Sequence, residues 1–382
     1  MIQKQIRRKT KKVLIFFSLL LFTLTNFGCW DVLEIDKRGF VLGIAIDKGQ
    51  EDELEITYQF AVPALGAEGG GFGSQRNVTT VAKSIQQGMS IVSSRSSLTP
   101  SLGHLKVIII DEKVAKDNIS VVLDFFERNS DSRLQTKVLL AQGKAKDILE
   151  VESYRGIPIA MAIAETFHNI TLTDRIVGGS SLRVLGQKIE NNNATLLVRG
   201  TPGKDEVKLA GSGVIKGNKL VGWLGEKETI FSGWLLNYID GGTLTVPMAG
   251  IEKGYYSFRE MGGNRRLVTG VSEGQPWARF ELEMEGSITE MPSYEMINDS
   301  LNNKGVEQIE KELEDYVKMN SEDLIRKTQE KWKADVFQVG NSFRRYHPDA
   351  WDELAPRWEE FYRNMPIEVT VDIKIRRLGL KD

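Results

Sequence analysis

One apolar run, from Val13 to Leu24, constrains how everything after it must fold. Only Ser18 and Thr23 interrupt it, and Lys4, Arg7, Arg8, Lys9, Lys11 and Lys12 precede it with no acidic residue among the first 28 positions. A bilayer span needs about 20 predominantly apolar residues, and this run has 12. A basic start followed by a short apolar segment is the pattern of an export signal, not of a permanent anchor. No later segment approaches spanning length, so the rest of the 382-residue chain is expected to fold in water around its own cores. At 41% hydrophobic residues, it can build two or three compact domains.

Cys29, the only cysteine, decides what kind of signal this is. It cannot form an intramolecular disulfide, and it stands behind Gly28 where a small-residue cleavage site would otherwise lie. That position suits lipid attachment: the thiol takes a diacylglyceryl group, and cleavage leaves Cys29 as the new N-terminus. Asn26 occupies the place where such signals usually carry an aliphatic residue. A buried free cysteine is the alternative reading, disfavoured by the basic and apolar stretches in front of it. Two acyl chains, at ~0.8 kcal/mol per buried CH₂, anchor stably without a protein helix. Losing residues 1–28 removes six basic and no acidic residues, leaving 44 basic against 52 acidic and a net charge of −8. So acidic a chain is a poor partner for nucleic acid or for anionic lipid surfaces. Trp30, next to the anchor, could sit at headgroup level or pack on the folded domain.

The remaining sequence alternates strand and helix patterns, which indicates an α+β (mixed α/β) protein. Gly39 to Asp47 reads as a strand buried on both faces. Leu54, Ile56, Tyr58, Phe60 and Val62 alternate as one face of a half-buried strand ended by Pro63, and residues 63–76 read as a glycine-rich loop. It is not a phosphate cradle, because no Gly-Lys-Ser/Thr follows. Val81, Ile85, Met89 and Val92 have helical spacing. Further segments are a strand over Leu105 to Ile110, a helix through Ile119, Val122, Leu123 and Phe126, a strand over Thr136 to Ala141, a helix over 158–168 and a strand over Ala194 to Val198. A turn-rich segment at Gly200 to Lys204 divides an N-terminal α/β region, 29–200, from a C-terminal α/β domain, 205–382; the N-terminal region could hold two subdomains.

The C-terminal region opens with a hairpin, Val207 to Ile215 returning through Lys219 to Leu224. A helix carrying Phe231, Trp234, Leu235 and Tyr238 follows, then several strands between Gly242 and Ile288. From Asn298 to Asp335 a long charged helix buries Val306, Ile309, Leu313, Val317 and Leu324, with Glu307–Lys311 and Glu322–Arg326 as i,i+4 pairs. Trp351, Leu354, Trp358 and Phe361 line one side of a final helix. Ile367, Val369, Val371, Ile373 and Ile375 alternate strictly as a last strand.

No catalytic, cofactor-binding or metal-binding site is expected. His104, His168 and His347 are far apart and none stands in a metal-ligand spacing. His104 reads as a strand-entry residue satisfied by backbone contacts. Glu281, Glu283 and Glu285 share one face of a strand whose other face carries Phe280, Leu282 and Met284, so they read as a solvated face. No Gly-x-Ser-x-Gly elbow or Ser-x-x-Lys motif is present.

Taken in order, Cys29-Trp30-Asp31 behind a lipoprotein signal, GFVLGIAID at 39–47, GHLKVIII at 103–110, FFER at 125–128 before a turn with Arg133, and a final W-x-x-F before an alternating strand resemble the Ger(x)C family. These are the C subunits of nutrient germinant receptors in spore-forming bacteria. The resemblance spans essentially the whole chain. It implies a lipoprotein of three α/β domains on the extracytoplasmic face of the spore inner membrane, assembled with the membrane-embedded A and B subunits and carrying no known catalytic residue. Cys29 is the one functional position it transfers. The competing class is a lipid-anchored solute-binding protein, which would need a cleft lined with convergent polar groups and aromatics; a cell-wall enzyme is a third, opposed by the missing catalytic motifs.

Overall fold

The structure is a computed structural model that describes residues 14–18, 38–63, 72–167, 179–190, 194–237, 241–248, 254–291 and 303–378. It is a mixed α/β molecule built on two sheets. The larger has nine strands in the order β3-β2-β1-β5-β6-β7-β8-β9, with β4 paired to β1 off that path. Its strands are β1 (Arg38–Lys48), β2 (Leu54–Pro63), β3 (Phe72–Ala82), β4 (Thr99–Ser101), β5 (Val107–Asp111), β6 (Lys137–Ala141), β7 (Thr195–Pro202), β8 (Val207–Lys216) and β9 (Lys219–Leu224). The smaller sheet runs β10 (Gly242–Pro247), β11 (Tyr255–Ser272), β12 (Gln275–Glu290) and β13 (Ile367–Leu378).

The centre of the larger sheet is parallel, with β5 between β1 and β6. Parallel strands are covered by helices on both faces, which explains the unbroken apolar runs. Ile44, Ile108 and Ile110 face one core with α1 (Ile85–Arg95), α2 (Glu112–Asn118), α3 (Ser120–Arg128) and α6 (Leu182–Glu190). Leu42, Val107 and Ile109 face the other, with α4 (Ala145–Leu149) and α5 (Ile159–Thr166). The register slips between Val41 and Gly43. There a Cβ on Gly43 would lie 2.8 Å from that of Ala160, so glycine lets α5 approach the strand.

Several details differ from the sequence reading. β2 is buried on both faces, because Thr57 and Gln59 are fully buried too. Gln59 donates to Leu149 O at 3.1 Å and accepts from Ala160 N at 3.0 Å, while Asn77 donates to Leu149 O at 2.8 Å. Gln75 accepts from Ile159 N at 2.8 Å. Side-chain amides of β2 and β3 thus satisfy backbone groups left over at the end of α4 and the start of α5. A polar alternation looked like a wet face and is a hydrogen-bonded interior. The loop read over 63–76 gives way to β3 from Phe72, and Val81 belongs to that strand, not to the helix. That helix starts at Ile85, capped by Ser84, whose Oγ accepts from Gln87 N. Helices α2, α4 and α6 were missed; α2 and α4, at 7 and 5 residues, are too short for periodicity to register.

The segment read as a boundary at Gly200 to Lys204 runs from the end of β7 into a turn closed by Gly203 N donating to Glu206 O at 2.8 Å. Strands β8 and β9 then pair onward into the same sheet. The hairpin turn at Lys216 to Lys219 is as expected. Across β8 and β9 lies α7 (Glu226–Leu236), whose residues from Thr229 to Leu236 are all buried, between the two sheets. It ends at Asn237 in the left-handed region (φ 56°), a common helix stop.

The smaller sheet is an antiparallel meander of β10, β11 and β12, with β13 parallel to β12. Between β12 and β13 the chain forms α8 (Asn303–Lys327), a π turn (Thr328–Trp332), α9 (Val339–Tyr346), α10 (Pro348–Leu354) and α11 (Trp358–Asn364). Ile309, Leu313, Val317 and Leu324 of α8 are buried as read. Its ion pairs are different: Lys311 pairs with Asp315 at 2.9 Å and Arg326 with Asp323 at 3.3 Å. The final helix expected through Trp351 and Phe361 is broken in two at Ala355–Arg357, since Pro356 supplies no N–H and crowds the preceding turn. Of the five alternating residues in β13, Val369 and Ile373 are fully buried and the other three partly so.

Candidate interaction surfaces

Cys29, Trp30 and His168 lie outside the described residues. Residues 14–18 are helical with Leu14, Ile15, Phe16 and Phe17 exposed. No described helix is long and apolar enough to cross a membrane, and no three described His, Cys, Asp or Glu side chains group as a metal site. His104 is exposed and sits edge-on to Phe40 with centroids 4.8 Å apart, in place of the backbone contacts expected for it. His347 faces the carbonyl of Thr269, with Nε2 2.7 Å from the oxygen.

The most perturbed ionisable groups have structural work. Asp335 is buried, which pushes its carboxyl pKa up, and it caps α9 by accepting from Val339 N at 2.9 Å and Gly340 N at 2.7 Å. Trp358 Nε1 donates to it at 3.2 Å. Burial and the nearby Asp335 also raise Tyr362, which meets Thr328 Oγ1 at 2.8 Å. Asp47 is lifted to about 6, chiefly by desolvation, against the pull of Ala145 N and Lys146 N, which donate to it at 2.7 and 2.9 Å. Burial accounts for these upward shifts and the capping bonds oppose it, so no chemistry need be invoked, and perturbed groups only nominate a site when a cleft accompanies them.

Two surfaces are open. The outer face of the smaller sheet carries Glu281, Glu283 and Glu285, as the alternation indicated, with Phe280, Leu282 and Met284 buried behind. Neighbouring strands supply countercharges: Arg266 to Glu281 at 3.5 Å, Arg279 to Glu368 at 2.8 Å and Arg376 to Glu285 at 2.8 Å. Exposed pairs of this kind are worth ~1 kcal/mol or less each, so the face can exchange them for a partner's charges at little cost. The second surface is a groove of about 630 Å³ between β11 and α9, lined by Arg265, Arg266, Arg345 and His347 among neutral residues. Sequence reading did not single out these arginines. Two Arg-Arg pairs, at 265–266 and 344–345, were the available signal, but they are 79 positions apart and only the fold brings Arg345 to the same groove as Arg265 and Arg266.

The edges of the smaller sheet differ. The outer edge of β13 lies against α8, where Glu322 accepts from Val369 N at 3.4 Å, Glu314 from Ile373 N at 3.1 Å and Glu310 from Ile375 N at 2.8 Å. Four helix residues rise ~6 Å and two strand residues ~6.6 Å, so carboxylates spaced by four along the helix keep step with alternate amides of the strand. On the other side β10 covers β11 only from Tyr255 to Glu260.

Comparisons with known proteins agree on one family. Residues 31–196 match the spore germination protein N-terminal domain, and residues 210–379 match the spore germination B3/GerAC-like C-terminal domain. Spore germination protein B3 of Bacillus subtilis (strain 168) is 28% identical over 380 residues, covering 95% of this chain and 97% of its own length. Spore germination protein A3 of the same organism is 27% identical, with 95% and 97% covered. The crystal structure of the GerBC protein shares the fold, with a TM-score of 0.61 at 22% identity over 91% of this chain and 100% of that one. With both domains matched in order, and relatives aligned nearly end to end, the chain belongs to the GerAC-like spore germination proteins, the Ger(x)C family.

Proposed function

We propose that this protein is the C subunit of a nutrient germinant receptor, held by a lipid on Cys29 at the extracytoplasmic face of the spore inner membrane. It supports germinant sensing through contacts with the A and B subunits and performs no chemistry of its own. The observation that carries this reading is the ordered match of both family domains, beginning two residues after Cys29. Strand β1 starts at Arg38, nine residues past the proposed anchor. Nine residues reach at most ~30 Å, so an acylated Cys29 would hold the larger sheet close to the membrane surface. The ion-paired outer face of the smaller sheet is the surface best suited to exchange contacts with a protein partner.

The test compares spores lacking the protein with the parent strain, under a panel of nutrients and under a non-nutrient trigger. The expected result is a weak response to the nutrient of this receptor and normal germination under the bypass. Equal failure under both triggers would move the protein downstream of sensing. For the anchor, Cys29→Ala should leave the fold intact and release the protein from the membrane fraction or leave it uncleaved; normal retention of a cleaved chain rejects lipidation.

A further inference from the structure

We propose that the groove between β11 and α9 is a binding site for a small ligand bearing a phosphate or carboxylate group. The volume, about 630 Å³, is that of a small-molecule site. Its composition is what singles it out. The chain has more acidic than basic residues, 52 against 50, yet the lining holds three arginines and a histidine and no carboxylate. Cationic side chains gathered between low-dielectric walls concentrate anions.

The strand and the helix deliver the charges from different directions. Arg265 and Arg266 are successive residues of β11, so they leave opposite faces of the sheet. Arg265 turns inward. Its guanidinium lies 5.0 Å from the Phe280 ring centroid and donates to Phe337 O at 3.5 Å, which fixes it in place. Arg266 turns outward and is exposed, and its pair with half-buried Glu281, at 3.5 Å, is weak enough for a ligand to displace. Arg345 comes from the end of α9. Among the described residues it makes no ion pair and rests beside the Tyr346 ring at 5.4 Å. Guanidinium forks match the planar oxygens of carboxylate and phosphate, and Gln338 and Asn341 add neutral donors to the same lining.

The frame is rigid. His347 meets Thr269 O at 2.7 Å and Ser342 Oγ meets Thr269 Oγ1 at 3.0 Å, so the helix is tied to the strand along the groove floor. Asp335, three positions before Gln338, does not line the groove and is engaged by Val339 N, Gly340 N and Trp358. Pre-set donors on a fixed frame lose little entropy when a ligand arrives.

This inference stands apart from receptor membership, which could fail while the groove still binds. Calorimetric titration of the full chain in neutral detergent, with inorganic phosphate and separately with succinate, tests it. At least one probe should bind saturably with a Kd of about 1 mM or tighter. Arg345→Ala and Arg266→Ala, both exposed and so harmless to the fold, should each weaken that binding about tenfold. Arg344→Ala, on the adjacent exposed residue outside the lining, should leave it unchanged. Competition by phosphatidylglycerol in the micelle, but not by phosphatidylcholine, would identify a lipid headgroup as the source of the anion; no competition would identify a free solute. Absence of saturable binding with both probes, or binding that Arg345→Ala and Arg266→Ala leave intact, overturns the proposal.

Discussion

The two sheets solve the same problem in opposite ways. Every backbone amide in a sheet needs a partner, and every buried polar side chain does too. In the nine-stranded sheet, helices cover both faces of the centre, and buried Gln59 and Asp47, with half-buried Gln75 and Asn77 of the edge strand β3, serve the ends of α4 and α5. In the four-stranded sheet one face stays wet and ion-paired, and side chains of a helix serve the strand edge instead. Burial gives the first sheet its rigidity. The second keeps surface available for contact, at the expense of core.

That difference can be broken most severely by removing β13. Truncation after Asn364 deletes fully buried Val369 and Ile373 and bares the parallel edge of β12. At roughly 1.5–3 kcal/mol per buried side chain, against a domain stability of about 5–15 kcal/mol, the smaller sheet should unfold. The larger sheet should keep a separate transition in a urea melt followed by circular dichroism. A single unchanged transition would show β13 to be peripheral.

The junction is the next place to press. A Cβ on Gly222 of β9 would collide with the indole of Trp332, which arrives from the π turn. Gly222→Val should cost about 1–3 kcal/mol by overpacking, and it should do so in whichever melting step reports the contact between the sheets. A shift of the smaller sheet's transition alone would show that the junction stabilises one side only.

Replacing Glu310, Glu314 and Glu322 together sharpens the comparison at the edge. Alanine at all three leaves Val369, Ile373 and Ile375 amides without their acceptors, at about 1 kcal/mol each, and should produce self-association in light scattering. Glutamine at all three keeps an acceptor at each position and should leave the protein near wild type. Equal behaviour of the two triple variants would mean that charge, not hydrogen bonding, guards this edge.

The last effect belongs to the larger sheet and shows only as a dependence on pH. Folding raises Asp47 from 3.8 to about 6, so the native state holds this proton more tightly than the unfolded chain. Its contribution is therefore full below pH 3.8 and is lost as pH rises through 6. About two pKa units correspond to at most ~3 kcal/mol. Asp47→Asn should remove that part of the slope between pH 4 and pH 7 in urea melts. An identical slope in the variant would show that other groups set the acid-side behaviour.

Legibility from sequence followed the same division. Strands β1 and β5 were readable because burial on both faces leaves unbroken stretches without a polar side chain, Phe40 to Ile46 and Val107 to Ile110, and β13 because one wet face imposes strict alternation. Gln59 misled because a buried amide and an exposed one look alike until its partner, 90 positions away, is placed. Glu322 of α8, read as the partner of Arg326, misled for a similar reason: nothing local announces a strand edge beneath a charged helix. Arg265 sits at a core-facing position of β11, where alternation offers no reason to expect a cation, and Arg345 acquires its role only when α9 folds back beside that strand.

The glutamate row on α8 also sets how far this sheet could grow by adding strands. In polymer terms, a unit must have two reactive ends to propagate a chain, and a unit with one can only cap it. Edge-to-edge stacking through the smaller sheet has one such end stopped at β13, so a second copy joining at the opposite edge would complete a pair and go no further. A filament by this route would first have to strip three carboxylates from the amides they hold.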